Sequence, residues 1–379
     1  MEQAIKKNLL IITPYFPPAG GGLERYAWNI AKKISHKFNI IFLSLTKSKS
    51  SEEVRDNIRI IQRHANFVVS NTPIRWFFFW EIKKIIQKNK IDIVNAHTPV
   101  PFAVDMAAGA CWLTKIPLVV TYHSASLLKN NFYFDLLVKY YQLIEGFSLK
   151  IAKKIVVVAP HILKQERMKK NSAKAVIIYP GVDVSIFQKS VYPANQQLLF
   201  IAPLSSAYPA KGLDVLLKAL VAVKKNIPDV KLNIAGEKGD AFLNFHHLVN
   251  ELGISNNVNF LGKLESKQII EQYVKCSILV VPSINNTEGT PTVLFEAAAS
   301  GRPVIGSNVA GIPYIIVNKK SGLLFPPGDS QQLAEQIIFL LANKEIAKNM
   351  SDFTFNNSKQ FSWNNRTEQY VKLFQEIIS

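Results

Sequence analysis

Short runs of aliphatic and β-branched residues alternate with helix-length amphipathic segments along the whole chain, and this rhythm narrows the possible folds more than any other feature. In the first half, strands are predicted at Leu9–Ile12, Ile40–Leu45, Ile58–Gln62, Ile91–Asn95, Leu118–Thr121, Ile155–Val158 and Val176–Tyr179. A second series follows at Leu198–Ile201, Lys231–Ala235, Val258–Leu261, Ile278–Val281 and Val304–Gly306. Apolar residues at consecutive positions, rather than alternate ones, mark strands buried on both faces of a parallel sheet. Parallel neighbours need a crossover, and the crossover is right-handed, so each series winds a doubly wound α/β domain. The 379 residues are enough for two such domains.

The predicted boundary is Pro180–Pro193, which holds Pro180, Gly181, Asp183 and Pro193. Residues 1–185 then form one Rossmann-like domain and residues 193–358 another. Residues 359–379 are expected to form a terminal helix that can cross back to the first domain, with apolar positions at Tyr370, Val371, Leu373, Phe374 and Ile377. Two such domains facing each other leave a cleft at the carboxyl ends of both sheets, where open α/β sheets take ligands. Two cysteines, Cys111 and Cys276, exclude a disulfide framework and a cysteine-rich metal site. No apolar run approaches the ~20 residues of a membrane span. The run Leu9–Ile12 is too short for a signal peptide, so a cytoplasmic protein is expected.

The strongest local pattern is Glu288-Gly289-Thr290-Pro291-Thr292-Val293-Leu294-Phe295-Glu296, directly after the strand Ile278–Val281. Pro291 suits a first helical position, where its missing N–H costs nothing, and Thr290 is then the expected N-cap. The amides of Thr292 and Val293 would point out of the helix start and suit an anion such as phosphate. Glu296 lies on the same helical face as Thr292 and Val293, and Glu288 precedes the cap. A phosphate between two carboxylates that accept hydroxyl hydrogen bonds is the outline of a nucleotide-sugar site. The small run Ala297–Gly301 lets the helix pack close to its sheet. Elsewhere, Gly20–Gly22 suits either a tight strand-to-helix turn or a ligand-facing loop, since it lacks GxGxxG spacing. His123 falls at the carboxyl end of a strand and His97 sits similarly, while His246 and His247 read as helix-surface residues. No Cys/His/carboxylate spacing suggests a metal.

The Glu288–Glu296 nonapeptide resembles the Glu-x7-Glu motif of family-4 retaining glycosyltransferases, which have the GT-B fold of two facing Rossmann-like domains. Further segments are similar in the same order: Tyr15-Phe16-Pro17-Pro18 with Gly20–Tyr26, Ile91–His97, Val120–His123, Pro180–Asp183, Ala210–Asp214, Phe260–Gly262 and Gly322–Asp329. The resemblance implies metal-independent, retaining transfer of a hexosyl group from a nucleotide-diphosphate sugar of the UDP or GDP type. By that similarity Glu296 holds ribose, Glu288 holds the donor sugar, Lys211 neutralises the pyrophosphate and the amides of Gly21 and Gly22 close on it. Gly289, Thr290, Pro291, Thr292 and Val293 line the donor, and the base lies beside Gly262 and Leu264. His123 lines the reaction centre, and Glu24, Arg25 and His97 fall on the acceptor side. No cofactor is implied beyond the donor. Departures are present: the family's Gly-Arg-Leu reads Ala202-Pro203-Leu204, so an arginine is replaced by Pro203, and the Ser205-Ser206 amides are a possible substitute. Pro180 stands where the family has an asparagine, and Tyr314 where it often has an acidic residue. A nucleotide-sugar epimerase, a sugar phosphorylase or a non-catalytic nucleotide-sugar-binding partner would share the fold.

Charge is uneven. Residues 1–183 carry 27 Lys+Arg and 12 Asp+Glu (27 − 12 = +15), leaving +3 of the total +18 for the remainder. Arg75-Trp76-Phe77-Phe78-Phe79-Trp80 leads into Lys83, Lys84, Lys88 and Lys90, and Phe132–Phe134 and Tyr140-Tyr141 fall among further lysines. Five successive aromatics run all round a helix, so some must leave the core. A basic, aromatic surface suits an anionic membrane and a glycan or lipid-linked acceptor on the cytoplasmic leaflet. Nucleic acid is not expected, because the aromatics cluster and form no stacking platform.

Overall fold

The computed structural model describes residues 6–69, 72–98, 100–123, 132–187, 189–206, 209–286 and 289–379, with backbone alone at 132–137, 139 and 209. The chain divides into two compact units: residues 1–181 with 363–379, and residues 182–362.

In the first unit, strands β1 (Lys7–Ile12), β2 (Phe38–Thr46), β3 (Ser51–Arg55) and β4 (Ile58–His64) are followed by a small antiparallel hairpin, β5 (Phe67–Val69) and β6 (Thr72–Ile74). Then come β7 (Ile93–Thr98), β8 (Leu118–Tyr122), β9 (Lys154–Val157) and β10 (Ala175–Ile177). The main sheet runs β10-β9-β8-β7-β1-β2-β4-β3, parallel except for the β3–β4 pair. Helix α1 (Gly22–Ile34) joins β1 to β2 in one direction. Helices α2 (Phe78–Lys88), α3 (Ala103–Thr114), α4 (Phe132–Ile151) and the short α5 (Glu166–Lys169) accompany the winding in the other direction. Right-handed crossovers therefore put α1 on one face and α2 to α4 on the opposite face. The direction reverses at β1, so its switch point lies between β1 and β7.

The second unit contains β11 (Gln197–Ile201), β12 (Lys231–Ala235), β13 (Val258–Gly262), β14 (Ile278–Val281), β15 (Val304–Ser307) and β16 (Gly322–Phe325), in the order β13-β12-β11-β14-β15-β16. All its pairs are parallel, and its switch point lies between β11 and β14. Its helices are α6 (Leu213–Asn226), α7 (Phe242–Glu251), α8 (Ser266–Lys275), α9 (Val293–Ala299), α10 (Ser330–Ala342) and α11 (Lys344–Ser358). The last helix, α12 (Trp363–Ile378), belongs to the first unit, where Trp363, Tyr370, Val371, Leu373 and Phe374 join the core beside Tyr26 and Ile30 of α1.

All twelve strands expected from the apolar runs are present. β3, β5, β6 and β16 were not among them. β3 is exposed at every position, so burial leaves no apolar signature on it. The aromatic run does not lie on a single helix as expected: Trp76 and Phe77 precede α2 and are exposed, and of the three aromatics on the helix Phe78 is buried, Phe79 partly buried and Trp80 exposed.

Candidate functional site

In the second unit, the buried strand β14 ends at Val281, and the loop that begins at Pro282 reaches α9 at Val293. This loop is fastened from several sides. Ile284 N–H donates to the Ala210 carbonyl (2.9 Å), Ala310 N–H to Asn286 Oδ1 (3.0 Å) and Gly311 N–H to the Gly289 carbonyl (3.0 Å). Gly311 has no room for a side chain, since a Cβ there would lie 2.6 Å from Thr290 Oγ1 and would overlap the Gly289 carbonyl. Glu288 lies outside the described residues.

The helix start differs from the sequence expectation. Thr292, not Thr290, is the N-cap, and its side chain makes no cap bond. Leu294 N–H reaches back to the Pro291 carbonyl in a tight three-residue turn (3.2 Å), and four-residue spacing begins only with Glu296 N–H to Thr292 (3.2 Å). Thr290 is instead buried against Gly311. Glu296 nevertheless shares a face with Thr292 and Val293, which are the unburied positions of this turn. Its Oε2 accepts a hydrogen bond from the Tyr273 hydroxyl of α8 at 2.9 Å. Tyr273 is fully buried, and its backbone carbonyl accepts from Nε of the equally buried Arg302 (2.6 Å). Arg302 Nη2 also donates to the Val274 carbonyl (3.0 Å), so the guanidinium stabilises the C-terminal end of α8.

Lys211 ends the turn before α6, next to Gly212. Gly212 has φ +68°, and a Cβ there would lie 2.9 Å from the carbonyl carbon of Pro282. The Lys211 turn is thus pressed onto the loop that leads to α9, across the β11/β14 switch point. The Ser206 amide donates to Asp240 Oδ1 (2.8 Å) and its hydroxyl to Oδ2, and these bonds hold the Asp240 carboxyl down at about 2. That amide is therefore committed to a carboxylate and does not substitute for the arginine replaced by Pro203. Lys238, which the sequence reading missed, does lie alongside: its backbone bridges to Leu204, its Nζ sits 4.7 Å over the Phe242 ring, and its Cε borders Gly262. A lone lysine after β12 carries no distinguishing sequence signal. Gly262 closes β13 with φ +73°, and Leu264 follows it, half-buried.

In the first unit, the glycine loop after β1 leads into α1. The Gly21 amide donates to Glu24 Oε2 at 2.6 Å, and Glu24 is buried, its carboxyl pushed up by that burial. Glu24 thus holds the helix start, in place of the acceptor-facing position expected for it, while Arg25 and Gly22 are exposed. Across the switch point, His97 on β7 is buried and His123, just after β8, is partly exposed. His97 Nδ1 and His123 Nε2 are 2.9 Å apart, and His97 Nε2 lies 3.0 Å from Asn95 Oδ1. Burial lowers the pKa of both rings, His123 to about 3, and the neighbouring His123 lowers that of His97 further. The Tyr26 ring packs edge-on against His123. Asn95 Nδ2 donates to the Val119 carbonyl (3.2 Å) and to Thr121 Oγ1 (3.0 Å). Thr121 Oγ1 is 3.1 Å from the Tyr370 hydroxyl, which is 3.1 Å from that of Tyr26. The sequence signal for this network was present, since Asn95 and Thr121 interrupt otherwise apolar buried strands. Among the described residues, no cluster of His, Cys, Asp and Glu could hold a metal ion, and His246 and His247 are exposed on α7.

Residues 20–186 match the family model Glycosyltransferase Family 4, and residues 185–356 match Glycosyl transferases group 1. An uncharacterized glycosyltransferase of Methanocaldococcus jannaschii is 27% identical over 384 residues, covering 98% of each chain. The O-antigen chain mannosyltransferase C of Escherichia coli is 26% identical over 388 residues, again covering 98% of each. The solved structure of Anabaena HepE in complex with UDP has a TM-score of 0.78 at 18% identity, covering 97% of this chain and 100% of that one. Fold and matches together make the protein a glycosyltransferase with the GT-B fold. Within that class it is of the type that joins a family 4 domain to a group 1 domain.

Proposed function

We propose that the protein transfers a hexosyl group from a UDP- or GDP-sugar, with retention and without a metal ion, to a polysaccharide or lipid-linked acceptor at the cytoplasmic membrane face. The observation that carries this reading is the Lys211–Gly212 turn pressed onto the loop to α9, with Glu296 held by Tyr273 beside the start of that helix. Breaking the bond between the sugar and the diphosphate leaves negative charge on the leaving group. Lys211, the amides of Thr292 and Val293, and Lys238 in the arginine's place supply preorganised positive potential there. Glu296 accepts the ribose hydroxyls, and Glu288 accepts hydroxyls of the donor sugar. Gly289, Thr290 and Pro291 shape the loop, and Gly262 and Leu264 border the base. For the first unit, the amides of Gly21 and Gly22 keep the role toward the diphosphate that the resemblance implies for them, and of the two the Gly21 amide is bonded to Glu24. His123 is assigned to the reacting sugar, and His97 and Arg25 to the acceptor, as the resemblance implies.

The membrane face of this proposal lies on the α2–α4 side of the first unit. Trp76, Phe77 and Trp80 are exposed there with Lys83 against the Trp80 ring. Trp112 of α3 is 63% exposed, and Tyr140, Leu143, Ile144 and Phe147 form an exposed stripe at helical spacing along α4. No helix among the described residues is long and apolar enough to cross a membrane. Co-sedimentation at low salt is expected to show stronger binding to anionic than to neutral vesicles, and equal binding would remove this part.

The activity is tested by incubating the protein with a panel of nucleotide sugars, with and without membranes, and measuring nucleotide diphosphate release. Acceptor-dependent release is expected, and Glu288→Ala should lower it by at least ~10²-fold while leaving the fold intact. Release without any sugar transfer product, or near wild-type rates in that variant, would contradict the reading.

A further inference from the structure

The polar chain inside the first unit allows proton positions to be assigned from its geometry. Its starting point admits one arrangement only: the Val119 carbonyl can only accept, so the amide nitrogen of Asn95 faces it at 3.2 Å. The same nitrogen donates to Thr121 Oγ1, which is tied through Tyr370 to helix α12. The oxygen of Asn95 is thereby turned onto His97, 3.0 Å from Nε2, and that oxygen too can only accept. His97 Nε2 therefore carries a hydrogen. His97 is buried and kept neutral, so its Nδ1 is bare. The atom 2.9 Å from that bare nitrogen is His123 Nε2. Two bare nitrogens gain nothing from such a contact, so His123 Nε2 must carry the hydrogen, leaving Nδ1 of this neutral ring without one.

We infer that Asn95 is a positioning residue that acts through His97 to hold His123 in the Nε2–H form, so that its Nδ1 serves only as a hydrogen-bond acceptor. This fixes what His123 can recognise. A ligand hydroxyl can donate to Nδ1, whereas a carbonyl, an ether oxygen or a phosphate oxygen meets a lone pair and is rejected. In the transfer reading above, on which this role rests, His123 selects a sugar hydroxyl and cannot protonate the departing diphosphate through Nδ1. The proton assignment itself stands independently of that reading. Asn95→Asp should reverse the relay. A carboxylate at this position favours a second proton on His97; Nδ1–H then donates to His123 Nε2, and the hydrogen of His123 moves to Nδ1.

Long-range ¹H–¹⁵N correlation spectra of the full-length protein labelled at histidine nitrogens distinguish the two neutral forms directly. His123→Gln identifies which signals belong to that ring. At neutral pH the wild-type protein is expected to show both rings as Nε2–H, and Asn95→Asp to show His123 as Nδ1–H. The same variant should lose at least ~10-fold in kcat with little change in donor KM, because the lost contact belongs to the reacting sugar. Wild-type His123 found as Nδ1–H, or as a rapidly averaging mixture, overturns the inference even if no Asn95 variant folds. A wild-type protein with the expected spectrum but no transfer activity would instead overturn the transfer reading and leave the proton assignment standing.

Discussion

Glu296 and Tyr273 illustrate how a surface-facing carboxylate is given one orientation by a buried neighbour. Tyr273 is fully enclosed and donates to Glu296 Oε2, so Tyr273→Phe removes a charge-assisted bond while keeping the packing. Such a bond contributes about 1.5–3 kcal/mol, so donor KM should rise about 10- to 100-fold with kcat little changed. Steady-state kinetics over donor concentration check this, and an unchanged KM would separate Tyr273 from the donor. Lys238→Ala is expected to raise donor KM as well, with a smaller effect than Lys211→Ala, whose turn is pressed directly onto the loop to α9. At this scale the sequence was informative where a helical face fixed the outcome. The spacing that puts Glu296 beside Thr292 and Val293 holds in the structure. It misled at Thr290, because Thr-Pro is a strong helix-start signal, yet the approach of Gly311 draws Thr290 into the loop and delays the helix to Thr292. It was silent on Tyr273, whose partners Glu296 and Arg302 lie more than twenty residues away in the chain, and on Lys238, whose bridge to Leu204 is equally distant.

At the scale of elements, two glycines set how closely loops approach. Gly212 combines φ +68° with contact against the Pro282 backbone, so Gly212→Ala should lower stability by roughly 2 kcal/mol or more and depress activity with it. Gly311 has an ordinary φ, and only the space is missing. Gly311→Ala should therefore displace the Gly289–Thr290 loop and lower kcat/KM at least ~10-fold with a smaller change in Tm. Thermal melts alongside kinetics distinguish the two variants, and equal Tm losses would contradict this division. The strands buried on both faces were legible because burial imposes continuous apolar runs on them. β3 escaped notice because it pairs on one side only and is exposed throughout. The spacing of Tyr370, Val371, Leu373 and Phe374 announces a buried helical stripe, but nothing local says which core receives it.

For the whole molecule, the pairing of buried His97 with His123 predicts acid sensitivity. In the unfolded chain both rings protonate as pH falls below about 6.5, whereas the folded rings stay neutral, His123 down to about 3. A depressed histidine pKa means stability present above the unfolded value and lost progressively below it, by up to about 1.4 kcal/mol per pH unit for each ring. Denaturant titrations at pH 7 and pH 5 should show this loss, and His97→Asn should show a shallower one. An equal slope in both proteins would remove the histidines as its cause. The two-domain organisation and the concentration of positive charge in the first half were readable from the sequence, because both are sums over many residues. The central claim is narrower: a nucleotide diphosphate is held in the second unit at the β11/β14 switch point. A crystal structure of the protein soaked with UDP or GDP tests it most directly. The diphosphate should lie beside Lys211 and the start of α9, with the ribose hydroxyls within hydrogen-bond reach of Glu296. Nucleotide density anywhere else, with no ribose hydroxyl in reach of Glu296, would contradict the account.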